Sequence, residues 1–277
     1  MKFQLISYAT RNNFGRCFED AETYFQAALR SLGHEAEYEL LDPDFYIIFG
    51  WHFTHKWMEL PKEKVIIVQL ENLVTGNLAE RFREEVFQDV RVWDYSHQNL
   101  IHFGSAPHQI DVFTYGYHPD LDTIRLKKHR EFDALFVGSM TPRRKKILRS
   151  LESWARVPWL FNVFGHKLDT QLARSKVILS PHAYEEEKVG AFAVGYIPAS
   201  LRIAYALNNG LPVLQEKSSS EADNAYWERF TFVSSKEMFP STLAIMLNQP
   251  DEALFRMERW KRETSMTENV RRLVQNL

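Results

Sequence analysis

Asp133-Ala134-Leu135-Phe136-Val137-Gly138-Ser139-Met140-Thr141-Pro142-Arg143-Arg144-Lys145-Lys146 reads as a buried strand, a glycine turn and the first turn of a helix. Ala134 to Val137 is the short apolar run expected of a parallel strand covered on both faces. Gly138-Ser139 permits a sharp turn with exposed backbone N–H groups. Thr141 suits the helix cap and Pro142 the first helical position. Arg143, Arg144 and Lys145 then crowd a first turn where the helix dipole is already positive. An anion docked at that helix start would relieve the conflict, which points to a phosphate or pyrophosphate site. A solvated basic turn is the alternative.

Outward from this stretch, apolar strands alternate with helical patterns. In the first half, strands are expected over residues 3–9, 35–40, 45–49, 64–70, 91–95 and 110–115, and helices over 19–32 and 78–90. After a polar, charged segment at 118–132 the pattern restarts. Strands are expected at 134–137, 161–164, 177–180, 212–215 and 230–233. Helices are expected at 168–175, 201–208 and 236–247, with a helical tail over 252–277. This alternation predicts an α/β chain with doubly wound parallel sheets, whose ligands sit outside the C-terminal strand ends.

The chain has 277 residues, a net charge of −2 and a pI near 6.6, so no global basic field advertises nucleic acid or an anionic surface. Its one cysteine, Cys17, excludes an intrachain disulfide and a Cys-rich metal site. No apolar stretch reaches the roughly 18–20 residues that span a bilayer, and the N-terminus leads into a strand, so a cytoplasmic protein is expected.

Three stretches carry a family resemblance. Asp133 to Ser139 with Arg143-Arg144, Leu172 to His182, and Ser200-Leu201-Arg202 through Tyr205 and Gly210 to Glu216 resemble the C-terminal domain of GT-B glycosyltransferases. Within these they look like the CgeB-like group and, more distantly, the phage DNA β-glucosyltransferases. Gln69-Leu70-Glu71 and Val92-Trp93-Asp94-Tyr95-Ser96 resemble CgeB-like fragments in the first half. The resemblance implies two Rossmann-like domains with a cleft between them: 1–122 for the acceptor, 123–264 for a nucleotide sugar, and a C-terminal helix, 265–277, packing back on the first. It implies transfer of a sugar from a UDP- or GDP-sugar to a hydroxyl on a glycan, lipid-linked sugar or protein, with no metal or other cofactor required. Two alternatives stay open: a transferase acting on hydroxymethylated DNA bases, and a non-catalytic nucleotide or nucleotide-sugar binder.

The resemblance also implies roles for residues. Arg202 would hold the donor pyrophosphate through its planar fork, with Gly138, Ser139, Arg143, Arg144 and Lys145 at the phosphate turn. Gly165, His166 and Lys167 follow a strand where this fold reads the nucleobase. Tyr205 stands where these enzymes place a ribose-binding glutamate, and Glu216 could reach the ribose instead. Glu71, at the tip of a central strand, would be the general base, with Asp94 and Glu19 as rivals. His182 would touch the donor phosphates or stabilise the leaving group. Asn12, Phe14, Trp51, His52 and Trp57 are expected on acceptor-side loops, together with Asp94.

Overall fold

The computed structural model describes residues 1–8, 15–73, 78–85, 90–100, 110–183, 188–189, 192–193 and 199–277. The chain forms two compact units, Met1–His118 with Ser265–Leu277, and Pro119–Thr264.

The first unit contains β1 (Lys2–Ser7), α1 (Glu19–Ser31), β2 (Glu35–Glu37), β3 (Phe45–Phe49), β4 (Val65–Gln69), α2 (Leu78–Glu85), β5 (Arg91–Asp94) and β6 (Ile110–Val112). Among the described residues these strands make one sheet, in the order β2-β1-β3-β4-β5-β6 with every neighbour parallel. The central strands are buried on both faces, which is why Ile47-Ile48-Phe49 and Val65-Ile66-Ile67-Val68 are unbroken apolar runs.

The second unit contains β7 (Phe132–Val137), α3 (Pro142–Arg149), β8 (Trp159–Leu160), α4 (His166–Leu172), β9 (Ser175–Ser180), β10 (Lys188–Val189), β11 (Phe192–Ala193), α5 (Ser200–Asn208), β12 (Val213–Glu216), α6 (Glu221–Trp227), β13 (Phe232–Ser234), α7 (Phe239–Asn248) and α8 (Pro250–Glu263). Its parallel sheet runs β13-β12-β9-β7-β8, and β10 and β11 pair as a separate antiparallel hairpin. Ala134 and Phe136 of β7 pack with Val177, Leu179, Leu214 and the α3 residues Ile147 and Leu148. The fold is thus α/β with two Rossmann-like, parallel-stranded units.

The structure departs from the sequence expectations in several places. No strand forms at 161–164; the strand is two residues earlier, at β8, because Asn162 takes a left-handed φ of 54° and turns the chain out of the sheet. The polar segment at 118–132, where the pattern breaks, is no free linker: from Pro119 onward it belongs to the second unit. Leu121 and Ile124 are buried, and the N–H groups of Thr123 and Ile124 both donate to Asn209 Oδ1 at 2.9 Å. The expected single helical tail is two helices, α8 and α9 (Met266–Gln275). Ser265 starts the second as its N-cap, accepting from Glu268 N at 3.2 Å. Leu254 on α8 is exposed.

Helix α9 belongs to the first unit and packs along α1. Its start crosses the strand-like segment after Phe113 at very close range. Met266 N donates to Tyr117 O at 3.0 Å, and a Cβ on Gly116 would lie 2.6 Å from both Met266 N and Ser265 C. Only a residue without a side chain fits where two backbones meet so closely. Gly116→Ala is therefore expected to lower unfolding free energy by about 1–3 kcal/mol; urea denaturation of the two proteins measures this, and an unchanged midpoint would mean that the crossing relaxes without cost.

Candidate functional site

In the second unit the candidate site grows from the C-terminal end of β7. Gly138 has φ +147°, and a Cβ there would lie 3.1 Å from Arg202 Nη2 and 3.2 Å from Phe136 Cζ. The arginine in the first turn of α5 thus passes directly over the glycine. The buried Phe136 ring carries two guanidinium groups, Arg144 at 5.1 Å and Arg202 at 5.8 Å from its centroid. The negative face of an aromatic ring favours such cations. Two positive charges are thereby concentrated beside one glycine turn.

The crowded first turn of α3 is resolved differently from the sequence expectation. Arg143 is buried and forms a forked ion pair with Glu216, at 2.7 Å from Nη1 to Oε2, with Nη2 donating to Oε1. Arg143 also donates to the His182 carbonyl at 3.1 Å. Arg144 donates to Pro181 O at 3.1 Å and to Ser139 O at 2.9 Å. Both arginines are therefore engaged with the protein's own strand ends, and their charge does not by itself require an anion. Of the three, Lys145 is the exposed one, and Ser139 is exposed beside it.

Glu216 and His182 are corrected in the same way. Glu216 is buried and also accepts from His182 N at 2.9 Å, which leaves it facing Arg143 rather than a ribose. The His182 ring is buried, and its Nε2 lies 3.0 Å from Lys217 O. A carbonyl can only accept, so Nε2 carries the proton. Burial lowers its pKa to about 4, with the cations Arg143 and Arg144 acting in the same direction and Glu216 opposing them. A neutral ring donating to a backbone carbonyl is a structural tie, not a cation for a leaving diphosphate.

Tyr205, one helical turn beyond Arg202, donates through its hydroxyl to Asp169 Oδ1 at 2.7 Å. Sequence reasoning passed over Asp169, which lies 36 residues away on α4. Gly165 precedes that helix at φ +55°, and His166 and Lys167 are exposed at its start.

In the first unit the candidate residue is Glu71, two positions beyond β4. Gln69 is buried; its Oε1 accepts from Trp51 Nε1 at 3.1 Å and from Glu71 N at 3.3 Å. Asn99 donates to Glu71 O at 3.1 Å and accepts from Leu73 N at 3.1 Å. The turn that presents Glu71 is pinned on both sides. Its side chain is 37% exposed, with Oε1 4.0 Å from His52 Nε2. Burial raises the Glu71 pKa, while burial and then the charge of Arg81 lower that of His52 to about 4. His52 is therefore neutral at pH 7, and no cation pairs with the Glu71 carboxylate among the described residues.

The remaining first-unit expectations divide. Trp51 and Trp57 are core residues, fully buried, with Trp57 Nε1 donating to Trp51 O at 3.1 Å. Asp94 is buried and accepts from Ser96 N at 2.9 Å and from Asn99 Nδ2 at 3.0 Å, so it braces the turn and offers no carboxylate to an acceptor. Glu19 pairs with Arg16 on the surface. Asn12 and Phe14 lie outside the described residues. Among the described residues no group of three or more His, Cys, Asp and Glu side chains could hold a metal ion, and no helix is long and apolar enough to cross a membrane.

The buried imidazole has a consequence for stability. A base whose folded pKa lies below its unfolded value contributes stability that is present above the unfolded pKa and lost as pH falls toward the folded one. For His182 the window runs from the usual 6.5 down to about 4. Its share is at most about 3 kcal/mol. His182→Gln retains a donor for Lys217 O and is expected to lose less stability across that window than the wild type; urea unfolding from pH 7 to pH 4 tests this, and parallel curves would assign the loss to other groups.

No protein-family model matches the chain, and no curated protein matches it in sequence. Solved structures do match by fold. AviGT4, a glycosyltransferase involved in avilamycin A biosynthesis, superposes with a TM-score of 0.65 at 14% identity, covering 100% of this chain and 96% of that one. HepE of Anabaena, solved with UDP and glucose, gives 0.57 at 10% identity, covering 99% of each chain. WaaG, a glycosyltransferase involved in lipopolysaccharide biosynthesis, gives 0.50 at 13% identity over 94% of this chain and 93% of that one. At these identities the likeness is one of architecture: the chain has the GT-B fold, with two Rossmann-like units.

Proposed function

We propose that this protein is a glycosyltransferase that moves a sugar from a nucleotide-sugar donor, a UDP- or GDP-sugar, to a hydroxyl on a glycan, lipid-linked sugar or protein. The observation that carries the reading is Arg202 lying over Gly138 at the C-terminal end of β7, with Arg144 sharing the Phe136 ring. Strand ends of this kind are where ligands bind in open α/β sheets. A guanidinium fork beside a glycine turn suits a diphosphate, which needs both close backbone approach and charge.

In this reading Arg202, the Gly138-Ser139 turn and Lys145 hold the donor diphosphate. They stabilise its charge as the bond from the sugar's anomeric carbon to the phosphate oxygen breaks, and no metal is required. Tyr205 and Asp169 face the ribose, whose vicinal hydroxyls suit a carboxylate acceptor; this replaces the role first given to Glu216. Gly165 and His166 lie toward the nucleobase. Glu71 takes the proton from the acceptor hydroxyl as its oxygen bonds to the anomeric carbon. A raised carboxyl pKa brings that group nearer the working pH, where a general base is most effective. The resemblance to the phage DNA β-glucosyltransferases supports the same assignment. The protein is expected to act in the cytoplasm.

A non-catalytic nucleotide binder is the second reading, favoured by Tyr205 at the position where the enzymes it resembles often carry glutamate. Release of free sugar from UDP- or GDP-sugars, even to water, separates the two: a binder shows none.

Arg202→Ala is expected to weaken nucleoside-diphosphate binding by roughly 1.5–3 kcal/mol, the range for charged hydrogen bonds. Calorimetry with UDP and GDP measures it, and unchanged affinity would remove Arg202 from the phosphate site. Glu71→Gln is expected to leave donor binding nearly intact while slowing transfer by about 10²–10⁴. A variant that transfers at the wild-type rate would exclude Glu71 as the base.

A further inference from the structure

Two large aromatic side chains stand exposed beside the Gly138 turn. Trp159 and Phe161 are 44% and 41% exposed, whereas Trp51, Trp57, Trp93 and Trp260 are fully buried. Their rings lie at 21° to one another with centroids 6.4 Å apart, so they present similarly oriented faces. Trp159 belongs to β8, the edge strand beside β7.

The indole is anchored to the turn itself. Trp159 Nε1 donates to Gly138 O at 2.6 Å, and Gly138 N donates to Leu160 O at 2.9 Å. The residue that Arg202 crosses is thus also the residue that fixes the indole. With its polar atom satisfied, the ring has only π-faces left to offer. The left-handed Asn162 lets the chain leave the sheet while Phe161 still stacks near Trp159. The loop then runs through Gly165 into α4, which carries Asp169.

We infer that Trp159 and Phe161 form the stacking platform for the nucleobase of the donor. The inference rests on the proposal that the donor diphosphate occupies the turn at Gly138 and Arg202. A nucleotide held there by its phosphates has its base one ribose away, and the aromatic pair is tied to that turn by a hydrogen bond. A planar base covers exposed, prefixed rings at little entropic cost, because neither indole nor phenyl has many rotamers to lose. Stacking tolerates any base, so the platform supplies affinity, while the choice among bases falls to polar groups.

The test is calorimetry on the whole protein with UDP, GDP, ADP and inorganic pyrophosphate. The wild type is expected to bind at least one nucleoside diphosphate more tightly than pyrophosphate. Trp159→Ala and Phe161→Ala should each weaken that nucleotide roughly 5- to 100-fold and leave pyrophosphate unchanged. Trp159→Phe keeps a π-face without the N–H and should retain most of the affinity. If Trp159→Ala does not fold, Phe161→Ala carries the test, since a phenyl ring makes no hydrogen bond to Gly138. Three results overturn the platform and leave the phosphate site standing: nucleotide and pyrophosphate binding equally to the wild type, alanine variants binding the nucleotide as the wild type does, or a loss shared equally by both ligands. A wild type that binds neither nucleotide nor pyrophosphate overturns the phosphate site, and the platform with it.

Discussion

The second unit depends on one buried ion pair. Glu216 ends β12, Arg143 sits in the first turn of α3, and the His182 N–H, just beyond β9, donates to the same carboxylate. Three strand-end connections are thereby joined at one charged point. Neither charge is worth burying alone, and removing one partner of such a pair typically costs about 3–5 kcal/mol. The pair holds α3 against the strand ends, so that Arg144 can reach Pro181 and Ser139 and the Gly138 turn is fixed under Arg202. The same contact explains how a helix can begin with three cations. Two of them point back into the protein, where a carboxylate, carbonyl oxygens and an aromatic face receive them.

The first unit has a counterpart built on amides. Gln69 and Asn99 bridge Trp51, the backbone of Glu71 and Leu73, and the buried Asp94 carboxylate. An amide can accept and donate at once, so a few buried side chains close several loops. Glu71 is the carboxylate in this network whose oxygens are not used by it. Asp94, chemically the same group, is fully enclosed. The difference in role comes from which loop each strand end feeds, not from residue type.

Much of the fold was legible because buried parallel strands are plain apolar runs. β4, β7 and β9 stand out in the sequence, and the two-unit alternation follows from them. The misplaced strand at 161–164 shows the limit, since periodicity does not reveal that Asn162 adopts a left-handed conformation. The site was legible as residue types and not as partnerships. Arg143 and Glu216 are 73 positions apart, and Tyr205 and Asp169 are 36. Local sequence reports a surplus of positive charge at α3 but not which distant carboxylate neutralises it. Trp51 was misjudged for the same reason: a tryptophan beside a glycine reads as a loop residue until the buried Gln69 opposite it is known.

The close crossing at Gly116 bears on how the chain is made. The first unit is built from Met1–His118 and Ser265–Leu277, so all of Pro119–Thr264 is synthesised between its two parts. Domains usually fold in the order in which they leave the ribosome. Here α1 lacks the apolar side chains Met266, Val270 and Leu273 of α9 until all of the second unit has been synthesised. The second unit, by contrast, has its whole sheet and its helices in one continuous stretch. It can therefore reach its native state first, and the earlier-made unit closes last.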